Sequence, residues 1–216
     1  MSSSGDDVTI PPVPTMPRGD ASDEELLRAH REGDPSAFGE LVERYQVELY
    51  QFLARFTGDR TAADDLFQES FLQVHQSMHQ FDLTRRFRPW LFTIAANKAR
   101  DWLRSQSRRP ASPLQANIHD GDSESGEFMD LLRSPIEVPE SMLERQELRE
   151  RVQWTVMSMP EHLREILLLS YFNQFPYKQI SEMLDIPLGT VKSRLHAAVA
   201  HFAEKWKSAN RESSGT

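Results

Sequence analysis

Between residues 23 and 106 the apolar positions fall on helical spacings. Phe38, Leu41, Val42, Tyr45, Leu49, Phe52, Leu53 and Phe56 recur at intervals of three, one, three, four, three, one and three, which is one stripe along an amphipathic helix. Gly58 and Asp59 break that stripe. The pattern predicts a second helix from about Ala62 to Met78, with Phe67, Phe71, Val74 and Met78 on one face and Thr61 as its N-cap. The stretch from Gln80 to Arg86 reads as a loop. A third helix is predicted from about Pro89, a residue favoured in the first turn, to about Gln106, with Trp90, Leu91, Ile94, Ala95, Trp102 and Leu103 on its apolar face.

A second helical set follows, with helices expected at about Pro139–Met157, Glu161–Tyr171, Tyr177–Leu184 and Pro187–Lys205. No segment alternates with the period of two that a half-buried strand requires. The expected fold is therefore all-α: an N-terminal helical bundle over 23–106 and a C-terminal helix-turn-helix domain over 139–207. Residues 107–138 read as an acidic linker, because they hold prolines and the run Asp120-Gly121-Asp122-Ser123-Glu124 and lack periodicity. Residues 1–22, with four prolines among Ser, Gly and Asp, read as a disordered tail, and 208–216 as a fraying one.

Composition narrows the function classes. The 216 residues include no cysteine, which removes disulfides, thiolate metal sites and cysteine nucleophiles and fits a reducing cytoplasm. No apolar run approaches the ~20 residues of a membrane span, and the N-terminus lacks the pattern of a secretory signal. The net charge of −8 argues at first against a nucleic-acid binder. Its distribution reverses that inference. Residues 23–82 carry five bases and thirteen acids, 83–109 eight bases and one acid, and 110–150 three bases and ten acids. A block of +7 thus lies between two acidic ones, and charge asymmetry is the better guide to partners.

The stretch from Tyr177 to Leu195 has the form of a helix-turn-helix. Ile180 and Leu184 face inward one turn apart, the break at Asp185–Ile186 is short, and Val191, Leu195, Ala198 and Phe202 continue the inward stripe. Lys192, Ser193 and His196 should then point outward near the N-terminal part of the second helix, where a recognition helix reads base edges. Any one of these residues would suit an ordinary solvated helix face equally well; the whole pattern favours DNA contact.

The segment Gly189-Thr190-Val191-Lys192-Ser193-Arg194-Leu195-His196, preceded by Met159-Pro160-Glu161-His162-Leu163-Arg164, resembles the promoter-reading C-terminal domain of bacterial sigma-70-family factors, in the extracytoplasmic-function (ECF) group. Two further motifs agree in order and spacing. Asp64-Asp65-Leu66-Phe67-Gln68-Glu69-Ser70-Phe71-Leu72 resembles that family's polymerase-binding helix, and the run from Phe87 to Arg104 its −10 element segment. The resemblance covers about 23–106 and 139–206. It implies a sigma factor that binds core RNA polymerase, directs initiation at promoters and helps melt DNA, with no catalytic activity, no cofactor and a cytoplasmic location. Asp64, Asp65, Gln68 and Glu69 would meet polymerase. Phe81, Arg85, Arg86, Phe87, Arg88, Asn97, Lys98, Arg100, Asp101 and Arg104 would hold and open the −10 DNA, with Phe81 and Phe87 near a flipped base. Tyr177, Lys178, Thr190, Lys192, Ser193, Arg194 and His196 would contact the −35 duplex, with Arg164 a weaker candidate. An anti-sigma protein is a possible partner in such a family, and polymerase would have to supply the DNA affinity that a −8 chain lacks.

Two rival classes make poor use of these residues. The enzyme reading finds little to rest on: glycine is only 9 of 216 residues, with no Gly-rich phosphate loop and no G-x-S-x-G elbow. His75 and His79 have metal-compatible spacing without a third ligand, so no metal site is expected. A stand-alone helix-turn-helix regulator explains residues 177–205 but leaves the motifs at 64–72 and 87–104 idle.

Overall fold

The computed structural model describes residues 21–108 and 142–213, and among these there is no strand. Helices α1 (Asp23–Arg31), α2 (Pro35–Thr57), α3 (Arg60–Ser77) and α4 (Phe87–Ser107) make the N-terminal domain. Helices α5 (Met142–Met157), α6 (Glu161–Leu167), α7 (Tyr177–Leu184) and α8 (Leu188–Ser213) make the C-terminal one, with a π-helical turn at Leu168–Phe172. The expected all-α, two-domain class is the one adopted. The tail at 1–20 and almost all of the expected linker lie outside the described residues.

Local chemistry sets the helix ends. Ser22 and Glu25 form a reciprocal capping box on α1. Asp34 caps α2 with Pro35 in the first turn, and Gly58 ends it at φ +75, a left-handed conformation that glycine adopts without Cβ strain. The N-cap of α3 is Asp59 rather than Thr61. Directly after Gly58 its backbone is already extended, and its carboxylate accepts the Ala62 N–H at 3.0 Å. Helix α4 starts two residues before Pro89, because the Phe87 N–H finds Glu24 Oε1 of α1 at 3.0 Å. Proline is harmless at the third position, where an N–H has no helical partner. The last helix runs on to Ser213, past the point where fraying was expected.

The predicted stripe of α2 is the spine of the N-terminal core: Leu41, Leu49, Phe52, Leu53 and Phe56 are each at most 1% exposed. Helix α4 departs from its forecast. Its fully buried face is Phe87, Leu91, Phe92, Ala95, Ala96 and Ala99, whereas Trp90, Ile94, Trp102 and Leu103 are half-buried around that core. The cause is that α4 packs against α2, α3 and, from the other domain, α7, so it is covered on more sides than one amphipathic stripe implies. Its three alanines let neighbouring backbones come close.

The two domains pack on each other. Phe175 sets its ring edge-on to Phe92, 5.1 Å between centroids. Gly58 lies directly under Met157, where a Cβ would come within 2.2 Å of the methionine Cε. Arg164, 8% exposed, crosses from α6 to donate to the Phe56 carbonyl at 2.7 Å while also holding the Met157 and Met159 carbonyls at 2.9 and 3.0 Å. That carbonyl lies at the C-terminus of α2, where the helix dipole favours a cation. No helix among the described residues is long and apolar enough to cross a membrane.

Candidate nucleic-acid interface

Helix α3 divides sharply into two faces. Ala63, Leu66, Ser70, Phe71 and Val74 are buried, and Ser70 returns its hydroxyl to the Leu66 carbonyl at 2.6 Å. Asp64, Asp65, Gln68 and Glu69 are all exposed, as the sequence expected. With them, and missed in the sequence reading, stands Leu72, 57% exposed. The signal was available: Leu72 lies three residues after Glu69 and seven after Asp65, on the side opposite Phe71 and Val74. A large exposed leucine among acids forms a compact patch with an apolar centre and a charged rim.

The loop before α4 is held from below. Arg31 of α1 donates to the carbonyls of Met78 and Phe81, and Asp82 accepts from the backbone and hydroxyl of Thr84 at 2.9 and 2.8 Å. This leaves Arg85 and Arg86 exposed. Phe81 and Phe87 do not sit as expected. Phe81 is 7% and Phe87 0% exposed; Phe81 stacks on Trp90 at 4.3 Å, and Phe87 meets Tyr45 and Trp90 edge-on. Both rings anchor the loop to the core and offer no face to a flipped base, because desolvating three aromatics together is worth more than leaving two in water.

Along α4 the polar residues pair within one turn. Arg100 donates to Asn97, and Asp101 lies 3.5 Å from Arg104, so Asn97 and Asp101 do not bond each other. Lys98 reaches across to Glu69 of α3 at 3.3 Å, joining the acidic face to the basic one. Two of the expected DNA cations are instead engaged by the C-terminal domain. Arg88 pairs with Glu48, donates to the Asn173 carbonyl at 2.6 Å and lies 4.1 Å from the centroid of Phe175. Arg100 Nε is 3.4 Å from Glu165 Oε1. Glu165 is 4% exposed; burial pushes its carboxyl up to about 7, against the pull of Arg100.

The helix-turn-helix forms as forecast. Ile180, Leu184, Val191, Leu195, Ala198 and Phe202 are buried. Asp185 takes the left-handed conformation at φ 52, and Ser181 closes the turn by donating to the Ile186 carbonyl at 2.6 Å. Lys192, Ser193 and His196 are exposed, Tyr177 and Lys178 are exposed at the start of α7, and Thr190 is half-buried. Arg194 is half-buried and faces α6, close enough to act on the charges of Glu165 and His162; burial and then Arg194 lower the His162 pKa. Arg164, a weak DNA candidate by sequence, is the interdomain strut described above. His75 packs edge-on to Phe38 and His30 at 5.3 and 5.5 Å.

Two family models match the chain: Sigma-70 region 2 over residues 41–109 and Sigma-70 region 4 over 149–202. The ECF RNA polymerase sigma-E factor of Escherichia coli K12 is 34% identical over 179 residues, covering 82% of this chain and 90% of that protein. The chain belongs to the ECF RNA polymerase sigma factors. SigW of Bacillus subtilis, another ECF sigma factor, is 30% identical over 79% of this chain and 89% of its own length. The fold agrees with that of CnrH in complex with the cytosolic domain of CnrY, at TM-score 0.63 and 24% identity over 87% of this chain and 99% of that one. As an ECF sigma factor the chain binds core RNA polymerase and directs it to promoters. The region 2 match accounts for the two motifs that a stand-alone regulator leaves unused.

Proposed function

We propose that this ECF sigma factor divides its work by helix face: α3 docks on core polymerase, the loop and outer face of α4 hold the −10 DNA, and α7–α8 read the −35 duplex. The observation that carries the reading is α3, which turns Asp64, Asp65, Gln68, Glu69 and Leu72 to solvent while its opposite face is buried. A helix that anchors a core on one side and presents acids around an exposed leucine on the other suits a basic partner surface with an apolar pocket. At the −10 end the working residues are Arg85, Arg86, Arg88, Asn97, Lys98, Arg100, Asp101 and Arg104, which track a strand backbone. At the −35 end Lys192, Ser193 and His196 reach base edges or phosphate, Tyr177 and Lys178 touch phosphate, and Thr190 and Arg194 support the helix.

The protein acts by binding and positioning, not by bond chemistry of its own, and it works where RNA polymerase does, in the cytoplasm. One solved structure similar to this fold is the sigma factor RpoE of Bartonella quintana in complex with the anti-sigma factor NepR, and the same kind of partner is proposed here. The deciding experiment mixes purified chain with core polymerase. Asp65→Lys should weaken core binding at least ~10-fold, because it puts a cation against a cationic partner. Unchanged core binding by Asp65→Lys and Leu72→Asp would refute the docking face.

A further inference from the structure

We infer that α1 is a positioning helix for the −10 loop: Arg31 and Glu24 clamp the two ends of residues 82–86 and so set how strictly that loop discriminates among bases. The inference rests on the −10 role proposed above for Arg85 and Arg86. Glu24 and Arg31 lie two turns apart, about 10 Å along one helix face, with fully buried Leu27 between them. Arg31 holds the loop's entry. Its Nη2 donates to the carbonyls of Met78 and Phe81, at the end of the 3₁₀ turn Met78–Gln80. Carbonyls at a helix C-terminus lack intrahelical partners, and a cation there satisfies them and suits the dipole. Glu24 holds the exit. Its Oε1 accepts the Phe87 N–H at 3.0 Å, the first N–H of α4, whereas the N-cap residue Arg86 supplies no side-chain bond of its own.

Between these anchors the loop is one closed turn. The Arg85 N–H bonds the Asp82 carbonyl at 3.0 Å, and the Asp82 carboxylate takes the N–H and hydroxyl of Thr84. Buried Phe81 and Phe87 plug its two ends into the core, which leaves Thr84, Arg85 and Arg86 exposed at the tip. Helix α1 is itself fixed. Its Asp23 pairs with Arg44 at 2.7 Å and accepts from the Tyr45 hydroxyl, both on α2. The tip is therefore referenced to α2 through α1, and not to α3 and α4 alone. A loop ordered before DNA arrives loses little conformational entropy on binding. Released at either end, it could still meet phosphate, which asks mainly for charge, but not a base edge, which asks for hydrogen-bond geometry. The region 2 match starts at residue 41, so both anchors lie outside it.

The test uses the full chain assembled with core polymerase. The probe is a labelled single strand carrying the −10 sequence of a promoter that this holoenzyme transcribes. The readout is its affinity relative to strands with one base changed, each position in turn. That ratio does not depend on the fraction of protein that is folded, so a merely structural role leaves it unmoved. Arg31→Met keeps the apolar stem and removes the donors; Glu24→Ala removes the acceptor for Phe87. Each should lower the largest ratio at least ~5-fold, with core binding intact. Glu24→Gln keeps a carbonyl oxygen for the Phe87 N–H and should hold the ratio within ~2-fold of the wild type. Glu24 is partly exposed, so this arm does not depend on Arg31→Met folding. Ratios unchanged in Arg31→Met and Glu24→Ala, while Arg85→Ala is impaired at the −10 element, overturn the positioning and leave the −10 role standing. Equal losses in Glu24→Ala and Glu24→Gln assign the effect to charge and overturn it too. An Arg85→Ala, Arg86→Ala holoenzyme that melts promoters like the wild type refutes the −10 role of the loop, and the positioning with it.

Discussion

The recognition helix α8 and the −10 helix α4 carry cations for the same polyanion, yet the structure holds them in opposite states. Lys192, Ser193 and His196 face solvent, whereas Arg88 and Arg100 face the neighbouring domain. The difference follows from where each helix gets its cover. Helix α8 buries one stripe inside its own domain, so its outward residues are set by its own period. Helix α4 is covered by α2, α3 and α7, so the direction of its cations depends on a domain far away in sequence. A ligand surface is predictable from one helix when, as for α8, every helix packed on it belongs to its own domain.

The largest test of this contrast is Arg164→Ala. It leaves the Phe56, Met157 and Met159 carbonyls without their buried donor and should cost about 2–3 kcal/mol, read as a lower urea midpoint. It should also loosen the interface that masks α4 without altering the α8 surface. If scattering showed the domains as closed as before, the strut would be irrelevant to the masking. Next, Lys192→Ala should lower −35-dependent transcription roughly 10-fold, about 1.4 kcal/mol, with core binding intact. Arg100→Ala should show a comparable loss in holoenzyme but little change in the DNA binding of the closed free chain. Equal losses for both variants in the free chain would erase the distinction between the helices.

The third test is pH. The Glu165 carboxyl is raised from 4.5 to about 7, first by burial and also by Glu161, while Arg100, Arg194 and Arg104 pull it down. A raised folded value means the stability is fully present below about 4.5 and is lost as pH rises through about 7, when the closed chain must bury a charge. Stability should fall by about 1 kcal/mol between pH 6 and 8, seen as a lower melting temperature, and Glu165→Gln should flatten that slope. A falling slope that persists in Glu165→Gln would assign it to another group, and not to His162, whose lowered pKa makes stability rise with pH. The smallest effect is expected from Gly58→Ala, about 1 kcal/mol from a left-handed residue that also crowds Met157. The sign is clear because both the backbone and the interdomain contact resist a Cβ.

Much of the fold was legible because its signals are local. The α2 stripe, the break at Gly58, the turn at Asp185 and the inward face of α8 each depend on residues within a few positions of one another. The exposed acids of α3 were legible for the same reason, and Leu72 could have been read with them. Other positions were not legible. Phe81 and Phe87 looked like base-stacking candidates because aromatics in a basic loop suit single strands, but Arg31 from α1 and Trp90 from α4 fix the loop so that both rings go inward. Arg164 carried no mark of a strut, since its acceptor on Phe56 lies 108 residues away.

The sequence alone determined which stretches are helices, which faces are apolar in every helix but α4, where charge accumulates and, through three motifs in order, which family the chain joins. These are short-range properties, fixed by side-chain period and chain stereochemistry. Tertiary structure alone decided which cations are available. Whether an arginine meets phosphate or a buried carbonyl depends on what surface lies opposite, and that surface is brought there only by packing one domain against another.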